Sequence, residues 1–436
     1  MRAKSGMKDG TDGTAGTNGT DGTNGTEKSR MSRMSRMSHM PEGWKMVKLG
    51  EVCARVCSGG TPKSTCSEYY DEGTIPWLNT KEVHSNRIYD TEKKITLKGL
   101  ENSSAKWIAA NSIVVAMYGA TAGNVAQTKI PLTTNQACCN LEINSSITCS
   151  DFIFYSLRSC YSELLLLANG AAQQNLNAQV IKDFPLPLPP LPTQRKIAAV
   201  LGAIDDKVEN NRKICANLEA QAQALFKSWF VAESKDIDRH VQMQDLFEVT
   251  IGRTPPRKEF EWFSNVRDGN IMWVSIADMG LCGMFISDSS EYLTEDAIRN
   301  FKYRIVEEGT VLLSFKLTVG RVAIADTDLV TNEAIAHLRT DNPLMREYLY
   351  CYLKDFDFER LGSTSSIATA VNSSMIREMP FPVPKKEKLG EFHGKISPLF
   401  EAVRTYQKES RALSSLRDAL LPRLMSGEID VSEVAV

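Results

Sequence analysis

The feature that most constrains this chain is that it is written twice. Leu49-Gly-Glu-Val52 recurs as Leu246-Phe-Glu-Val249, an offset of 197 residues (246 − 49). Gly59-Gly-Thr-Pro62 recurs as Gly252-Arg-Thr-Pro255, and Ile75-Pro-Trp77 as Ile271-Met-Trp273. Further on, Thr121-Ala-Gly-Asn-Val-Ala126 returns as Thr318-Val-Gly-Arg-Val-Ala323, and Thr134-Asn-Gln-Ala137 as Thr331-Asn-Glu-Ala334. Ile181-Lys-Asp-Phe-Pro-Leu-Pro187 returns as Ile376-Arg-Glu-Met-Pro-Phe-Pro382. Order is kept throughout and the spacing drifts by only a few residues, which chance matches do not do. The chain must therefore solve one folding problem two times over.

Each copy runs into a long helix. After the proline-stiffened entry at 185–192, Ile197, Leu201, Ile204, Val208, Asn211, Cys215, Leu218, Ala222, Leu225 and Trp229 alternate in steps of four and three. That is a heptad seam with one polar position, Asn211. No proline or glycine interrupts the pattern after Gly202, so about 35 residues and ~50 Å of helix are expected. In the second copy Leu389, Phe392, Ile396, Leu399, Val403, Tyr406, Leu413, Leu420 and Leu424 alternate in the same way, with Ser410 and Arg417 in two seam positions. Pro398 is expected to kink that helix or delay its start. Seams this narrow need a partner, and each helix is the natural partner of the other. An intervening globular domain permits an antiparallel pairing with one globular unit of about 150 residues at each tip.

Within the units, residues 112–117 and 310–315 are short β-branched runs and read as buried strands. Residues 119–123, and the stretch leading to Gly320, mark tight turns. Residues 151–167 and 343–361 carry helical periodicity with Phe152, Tyr155 and Leu164, then Leu349, Tyr352 and Phe356, as core positions. The fold class is α+β: two similar mixed α/β domains joined by two long helices in an antiparallel coiled coil, with a pseudo-twofold internal repeat.

Composition closes several routes. The chain has 436 residues and a net charge of −2, so a nucleic-acid surface must come from local patches. No apolar run is long enough to span a bilayer, and nothing at the N-terminus resembles an export signal. The ten cysteines contain no Cys-x-x-Cys pair, so reduced, cytoplasmic thiols are expected. Cys53, Cys57, Cys66 and His84 match no usual zinc spacing. The loop at 58–65 lacks the glycine before Lys63 that a phosphate-cradling loop needs, and Gly119 and Gly123 complete no dinucleotide fingerprint. Nucleophile-elbow and zinc-protease motifs are absent too, as is the Asn-Pro-Pro-Tyr type of tetrapeptide, since Asn342-Pro343 continues with Leu344. Residues 11–26 are a Thr-x-Gly array and residues 30–40 an Arg-Met-Ser array, both expected to be disordered. A working start near Met37 or Met40 follows.

The polar loops differ between the copies while the framework matches, which suits recognition of two different short sequences. Asn and Gln can read an adenine edge, Arg and Lys a guanine edge or a phosphate. On these residues two other readings stay open: a coiled-coil adaptor that binds only protein, and a DNA methyltransferase or nuclease with its own active site.

A resemblance narrows the choice. The duplicated layout, Asn175-Leu-Asn177 leading into the proline run, Gln194-Arg-Lys-Ile197, Ile204-Asp205, the opening Trp44 with Val47-Lys-Leu-Gly-Glu-Val52, and Ala224-Leu-Phe-Lys-Ser-Trp-Phe230 resemble the specificity (S) subunits of Type I restriction–modification enzymes. The likeness runs from about residue 41 to residue 425. It implies a leader at 1–40, a first target-recognition domain at 41–190, helix at 191–232, a second domain at 240–384, helix at 385–425 and a tail at 426–436. It further implies a non-catalytic chain that reads a bipartite, asymmetric double-stranded DNA target. The helices would dock two methyltransferase (M) subunits and, through them, restriction (R) subunits. S-adenosylmethionine, ATP and Mg²⁺ would belong to those partners, and no membrane is involved. The DNA contacts expected for the first half-site are Thr61, Lys63, Asn79, Lys81, Thr121, Asn124, Gln173, Gln174 and Asn177. For the second they are Arg253, Thr254, Arg257, Lys258, Lys316, Arg321, Thr364 and Ser365.

Overall fold

The computed structural model describes residues 40–168, 176–232, 234–361 and 371–435. Residues 1–39 of the leader therefore lie outside the described residues, as do Gln173, Gln174, Thr364 and Ser365. The chain divides into two compact units, residues up to 204 with 416 onward, and residues 205–415, so each takes part of both long helices.

In the first unit the strands are β1 (Lys45–Lys48), β2 (Cys53–Ser58), β3 (Ile75–Leu78), β4 (Asn86–Ile88), β5 (Lys93–Ile95), β6 (Trp107–Ile108), β7 (Ile113–Ala116), β8 (Val125–Thr128), β9 (Leu132–Thr134), β10 (Cys138–Ile143) and β11 (Pro185–Leu188). A five-stranded sheet runs β2-β10-β7-β8-β4 and a four-stranded one β5-β3-β9-β6. Every residue of β7 is buried because its two faces meet different cores. Ile113 and Val115 pack with the helix α1 (Ser150–Ser159), while Val114 and Ala116 face Leu78 and Leu132 of the smaller sheet. A strand covered on both faces reads as a continuous apolar run. The helical stretch expected at 151–167 is broken at buried Cys160 into α1 and α2 (Tyr161–Ala168).

A short α3 (Ala178–Lys182) leads into β11, which pairs antiparallel with β1. The first half of the proline run is thus a strand. Leu186 and Leu188 point into the core, and the prolines occupy alternate positions of a two-stranded ribbon, where a missing N–H is tolerated. Then α4 (Leu191–Phe226) runs for 36 residues and finishes in a π-helical turn, Lys227–Val231.

The second unit repeats the plan with β12 (Ile237–Gln242), β13 (Glu248–Ile251), β14 (Phe263–Ser264), β15 (Ile271–Val274), α5 (Ile276–Leu281), β16 (Phe285–Ile286), β17 (Glu291–Leu293), α6 (Glu295–Asn300), β18 (Val311–Ser314), β19 (Val322–Ala325), β20 (Val330–Thr331), β21 (Ile335–Arg339), α7 (Arg346–Asp355), α8 (Ser373–Glu378), β22 (Pro380–Pro384) and α9 (Lys386–Met425). Its sheets run β13-β21-β18-β19-β16, β14-β17-β15-β20 and β12-β22. They match the first unit strand for strand except at two edges: β14 is added, and the partner of β6 shrinks to a single bridge, Val306 to Leu329. The expected helix at 343–361 is α7 followed by a 3-10 turn, Phe358–Leu361.

The long helices pair antiparallel. In the second unit Asn211 Nδ2 donates to Glu409 Oε2 at 2.7 Å, Cys215 Sγ lies 3.7 Å from the Val403 carbonyl, and Trp229 meets Phe392 at 6.0 Å between ring centroids. In the first, Ile197 and Leu201 share a core with Leu421 and Leu424. Of the seam positions, Ile197, Leu201, Val208, Leu389, Ile396 and Val403 are buried, whereas Ile204, Leu218, Leu225, Leu399, Leu413 and Leu420 are half-buried. Phe226, Phe400 and Leu421 are buried beside the seam, because the helix ends also pack on the globular cores. Helix α9 starts at Lys386 and continues through Pro398, which is exposed. A proline costs one backbone bond and crowds the carbonyl four residues back; Gly394 there has open space around it.

Candidate nucleic-acid interface

Four loops of the first unit are stitched together at one end of its two sheets. After β2 the backbone of Gly59 lies so close to β9 that a Cβ would sit 2.1 Å from Thr134 Oγ1 and 2.2 Å from its carbonyl oxygen. The Gly60 N–H donates to that carbonyl at 2.9 Å, and the Trp77 indole N–H donates to the Gly60 carbonyl at 2.9 Å. With the loop so fixed, the Thr61 hydroxyl donates to Gln136 Oε1. Beyond β3, Asn135 Nδ2 donates to Asn79 Oδ1 at 3.1 Å, Thr121 Oγ1 to the Thr80 carbonyl at 2.9 Å, and Ser85 Oγ to Asn124 Oδ1 at 3.3 Å. Thr61, Asn79, Lys81, Thr121 and Asn124 are thus brought into one cluster. Lys81 pairs with Glu92, and Lys63 is exposed in the first of these loops. Asn177 plays a different part, since its Oδ1 accepts the N–H groups of Gln179 and Val180, both at 2.9 Å, and so caps α3.

The second unit builds the same end with other side chains. A Cβ on Gly252 would lie 2.1 Å from the Thr331 carbonyl oxygen. Arg253 N–H donates to that carbonyl at 2.9 Å, and Trp273 Nε1 to the Arg253 carbonyl at 3.1 Å. The Thr254 hydroxyl donates to Glu333, and this bond is the main reason the Glu333 carboxyl titrates below the usual range. Arg321 Nη1 donates to the Ile276 carbonyl at 2.5 Å and packs against Gly280, where a Cβ would collide with it. Arg257 stacks 4.4 Å from the Phe263 ring and 4.5 Å from the Trp273 ring, and its Nη1 lies 2.7 Å from Glu291. It pins the added strand β14 in place while staying half exposed. Lys258 and Lys316 are exposed.

Three loop positions escaped sequence reasoning. Gln136 and Glu333 are exposed at the centre of the two clusters. Their signal was available: each is the one position that differs between the recurring tetrapeptides at 134–137 and 331–334. Tyr118, exposed, occupies the place of Lys316. Next to it Gly119 has φ +78°; in the second copy, whose loop is one residue shorter, the residue at the same distance from the preceding strand is Leu317 with φ +61°. That backbone region costs a side-chain-bearing residue about 1 kcal/mol or more.

Behind the loops each unit buries one polar pair. Asn140 Nδ2 donates to Thr134 Oγ1 at 2.8 Å. In the second unit His337 Nε2 lies 2.7 Å from Thr331 Oγ1 and Nδ1 lies 2.9 Å from Thr250 Oγ1. The Thr331 hydroxyl donates to the Asn332 carbonyl, which leaves Nε2 as the donor and Nδ1 as the acceptor of a neutral ring. Burial holds the His337 pKa down at about 4.

Chemically the clusters offer amides, hydroxyls, carboxylates and guanidinium groups held by backbone bonds, a set suited to reading hydrogen-bonding edges. Among the described residues no group of three or more His, Cys, Asp and Glu side chains is placed to hold a metal. Burial pushes the thiols of Cys53 and Cys139 up to about 11 and about 12, so neither is a nucleophile at neutral pH. Among the described residues no helix is long and apolar enough to cross a membrane.

A duplicated α+β scaffold with two divergent loop clusters defines a tandem of two like domains. Residues 41–220 and 239–409 match the Type I restriction modification DNA specificity domain, and the chain belongs to that family. It is similar to the Type I restriction enzyme MjaIX specificity subunit of Methanocaldococcus jannaschii, with 28% identity over 91% of this chain and 95% of the relative. The HindI specificity subunit of Haemophilus influenzae is 22% identical over 88% of this chain and 99% of its own length. The fold is that of the crystal structure of the Type I restriction–modification S subunit from M. genitalium, at a TM-score of 0.50 and 19% identity, covering 87% of this chain and 96% of the other. The chain is accordingly the specificity-giving, non-catalytic kind of subunit.

Proposed function

We propose that this chain reads a bipartite, asymmetric double-stranded DNA target, with one loop cluster per half-site. The observation that carries the proposal is the divergence at the loop tips: Gln136 against Glu333, Asn124 against Arg321, and Tyr118 against Lys316, on matching sheets. The α4–α9 pair acts as the spacer between half-sites, and its outer surface docks two M subunits and, through them, R subunits. A 36-residue helix is ~54 Å long, more than one ~34 Å turn of DNA. The chain holds no cofactor of its own in this reading; S-adenosylmethionine, ATP and Mg²⁺ act on the partners, in the cytoplasm.

Genome-wide methylation profiling, compared with a strain lacking this gene, tests the proposal. The expected result is loss of one motif made of two short specified halves around an unspecified gap. A continuous motif, or no change, would overturn it. Inserting four residues after Leu218 is expected to alter the gap and leave both half-sites as they were.

A further inference from the structure

Leu317 is the residue whose placement the fold leaves unexplained. It stands at the tip of the β18–β19 loop, 97% exposed, in the left-handed region at φ +61°. The Thr318 N–H donates to the Lys316 carbonyl at 2.7 Å, closing a three-residue turn around it. Turns of this hand are rare and strained. The first copy has a loop one residue longer, where Gly119, also at positive φ, opens the 3-10 turn Gly119–Thr121. A glycine at 317 would satisfy the fold at lower cost, and the leucine side chain recovers nothing inside the chain.

The loop beneath it is firmly held. Ser314 Oγ donates to the Thr318 carbonyl at 2.6 Å and accepts the Arg321 N–H at 3.0 Å. The Gly320 N–H donates to the Ser314 carbonyl at 2.9 Å, and Phe315 N–H to the Ala334 carbonyl at 3.0 Å. Lys316 is exposed beside the leucine, and Thr254 and Glu333 belong to the same loop cluster. A rigid, apolar tip next to a cation is suited to pressing into a stack of bases while the cation meets phosphate.

We propose that Leu317 is an apolar wedge that enters a base step of the second half-site and partly unstacks it. This rests on the reading of the second loop cluster as a DNA-reading surface and gives it a chemical mode that Gly119 cannot supply. The wedge makes recognition in the second half-site depend on how easily that step deforms, as well as on its base edges.

The test uses the full chain in complex with its M subunits and the DNA target found by methylation profiling. Leu317→Gly and Leu317→Met are compared with the unaltered chain. Duplexes carry 2-aminopurine at successive steps of the second half-site. The unaltered complex should raise 2-aminopurine fluorescence at one step. Leu317→Gly should abolish that rise and weaken binding ~10-fold or more, while Leu317→Met should retain most of both. Thermal unfolding of Leu317→Gly should be unchanged or higher, since glycine relieves the turn. Equal DNA binding by Leu317→Gly and the unaltered chain would sink the wedge alone, as would a lower unfolding temperature, weaker capture of M subunits, or weaker binding without any unstacked step. Failure of the unaltered complex to bind DNA would bring down the DNA-reading assignment together with the wedge.

Discussion

The two units differ in an ordered way. Where a change would move the backbone, the copies agree: Gly59 and Gly252 touch the same threonine carbonyl, Trp77 and Trp273 bind the same loop carbonyl, and Asn177 and Asn372 cap equivalent helices. Where a side chain faces outward, they differ: Gln136 against Glu333, Gly119 against Leu317. A third class lies between, in which the copies brace equivalent buried positions with different chemistry. Asn140 and His337 are one such pair. The helix junctions are another: buried Gln194 at the start of α4 is matched by buried Leu389 at the start of α9. Duplication has therefore preserved the loop platform and freed both what stands on it and how it is braced.

The division between fixed platform and free side chains is tested most severely at the glycines. Gly59→Ala or Gly252→Ala places a methyl group about 2 Å from a backbone carbonyl that cannot retreat without shifting β9 or β20. Each is expected to cost more than about 4 kcal/mol. Each should collapse its own loop cluster, read as new protease cleavage confined to that unit and loss of the matching half-site from the methylation profile. Equal loss from both halves would mean that the units do not act separately.

The buried polar pairs give a pH test. His337 is neutral in the folded chain, with its pKa held at about 4, and ordinary once unfolded, near 6.5. As pH falls from 6.5 towards 4 the unfolded chain takes up a proton that the folded one refuses, so stability is present above that window and is lost within it. The full loss is about 3 kcal/mol. Denaturant midpoints at pH 7 and pH 5 should separate for the unaltered chain and converge for His337→Asn, which installs the first unit's residue. An unchanged separation in the variant would assign the acid sensitivity to other groups.

How much of this was legible depends on which interaction sets each element. The seams and the runs at 113–116 and 311–314 were legible because burial imposes a period on contiguous residues. The proline run reads as a stiff entry, yet its first half is a strand, since its partner β1 lies about 140 residues away in sequence and only the Leu186–Leu188 alternation hints at pairing. Pro398 was expected to disturb α9, and the helix passes through it. Of the loop residues, Thr61, Asn79, Thr121 and Asn124 meet because four separate turns converge. That convergence is tertiary, so their shared location could be guessed from recurrence but their bonds could not. Asn177 shows the limit: its cap on α3 depends on backbone geometry that a polar residue in a loop does not announce.

A smaller effect is expected at the junctions. Gln194 accepts from Thr148 Oγ1 at 2.7 Å and the Cys149 N–H at 3.0 Å, and donates to the Pro189 carbonyl at 2.8 Å. Gln194→Leu, which copies the second junction, leaves these partners unpaired in the interior and should cost roughly 2 kcal/mol, part of the desolvation loss being offset by apolar packing. A neutral result in chemical denaturation would show that the two braces are interchangeable.

The smallest effect separates structure from recognition at Asn177. Its counterpart Asn372 accepts the N–H groups of Ser374 and Met375 at 2.9 and 3.0 Å, so both residues perform the same cap. Alanine at either position should cost about 1 kcal/mol, and by the same amount in each unit. Aspartate keeps the accepting oxygen and removes the amide donor. If Asn177 only caps, Asn177→Asp should match the unaltered chain in both thermal unfolding and DNA affinity. If it also reaches a base, Asn177→Asp should keep its stability yet lose discrimination in the first half-site, because a carboxylate cannot donate to adenine N7 and repels phosphate. The geometry favours the first outcome, since both backbone donors of the cap converge on the one side-chain oxygen, and Asn372→Asp supplies the internal control.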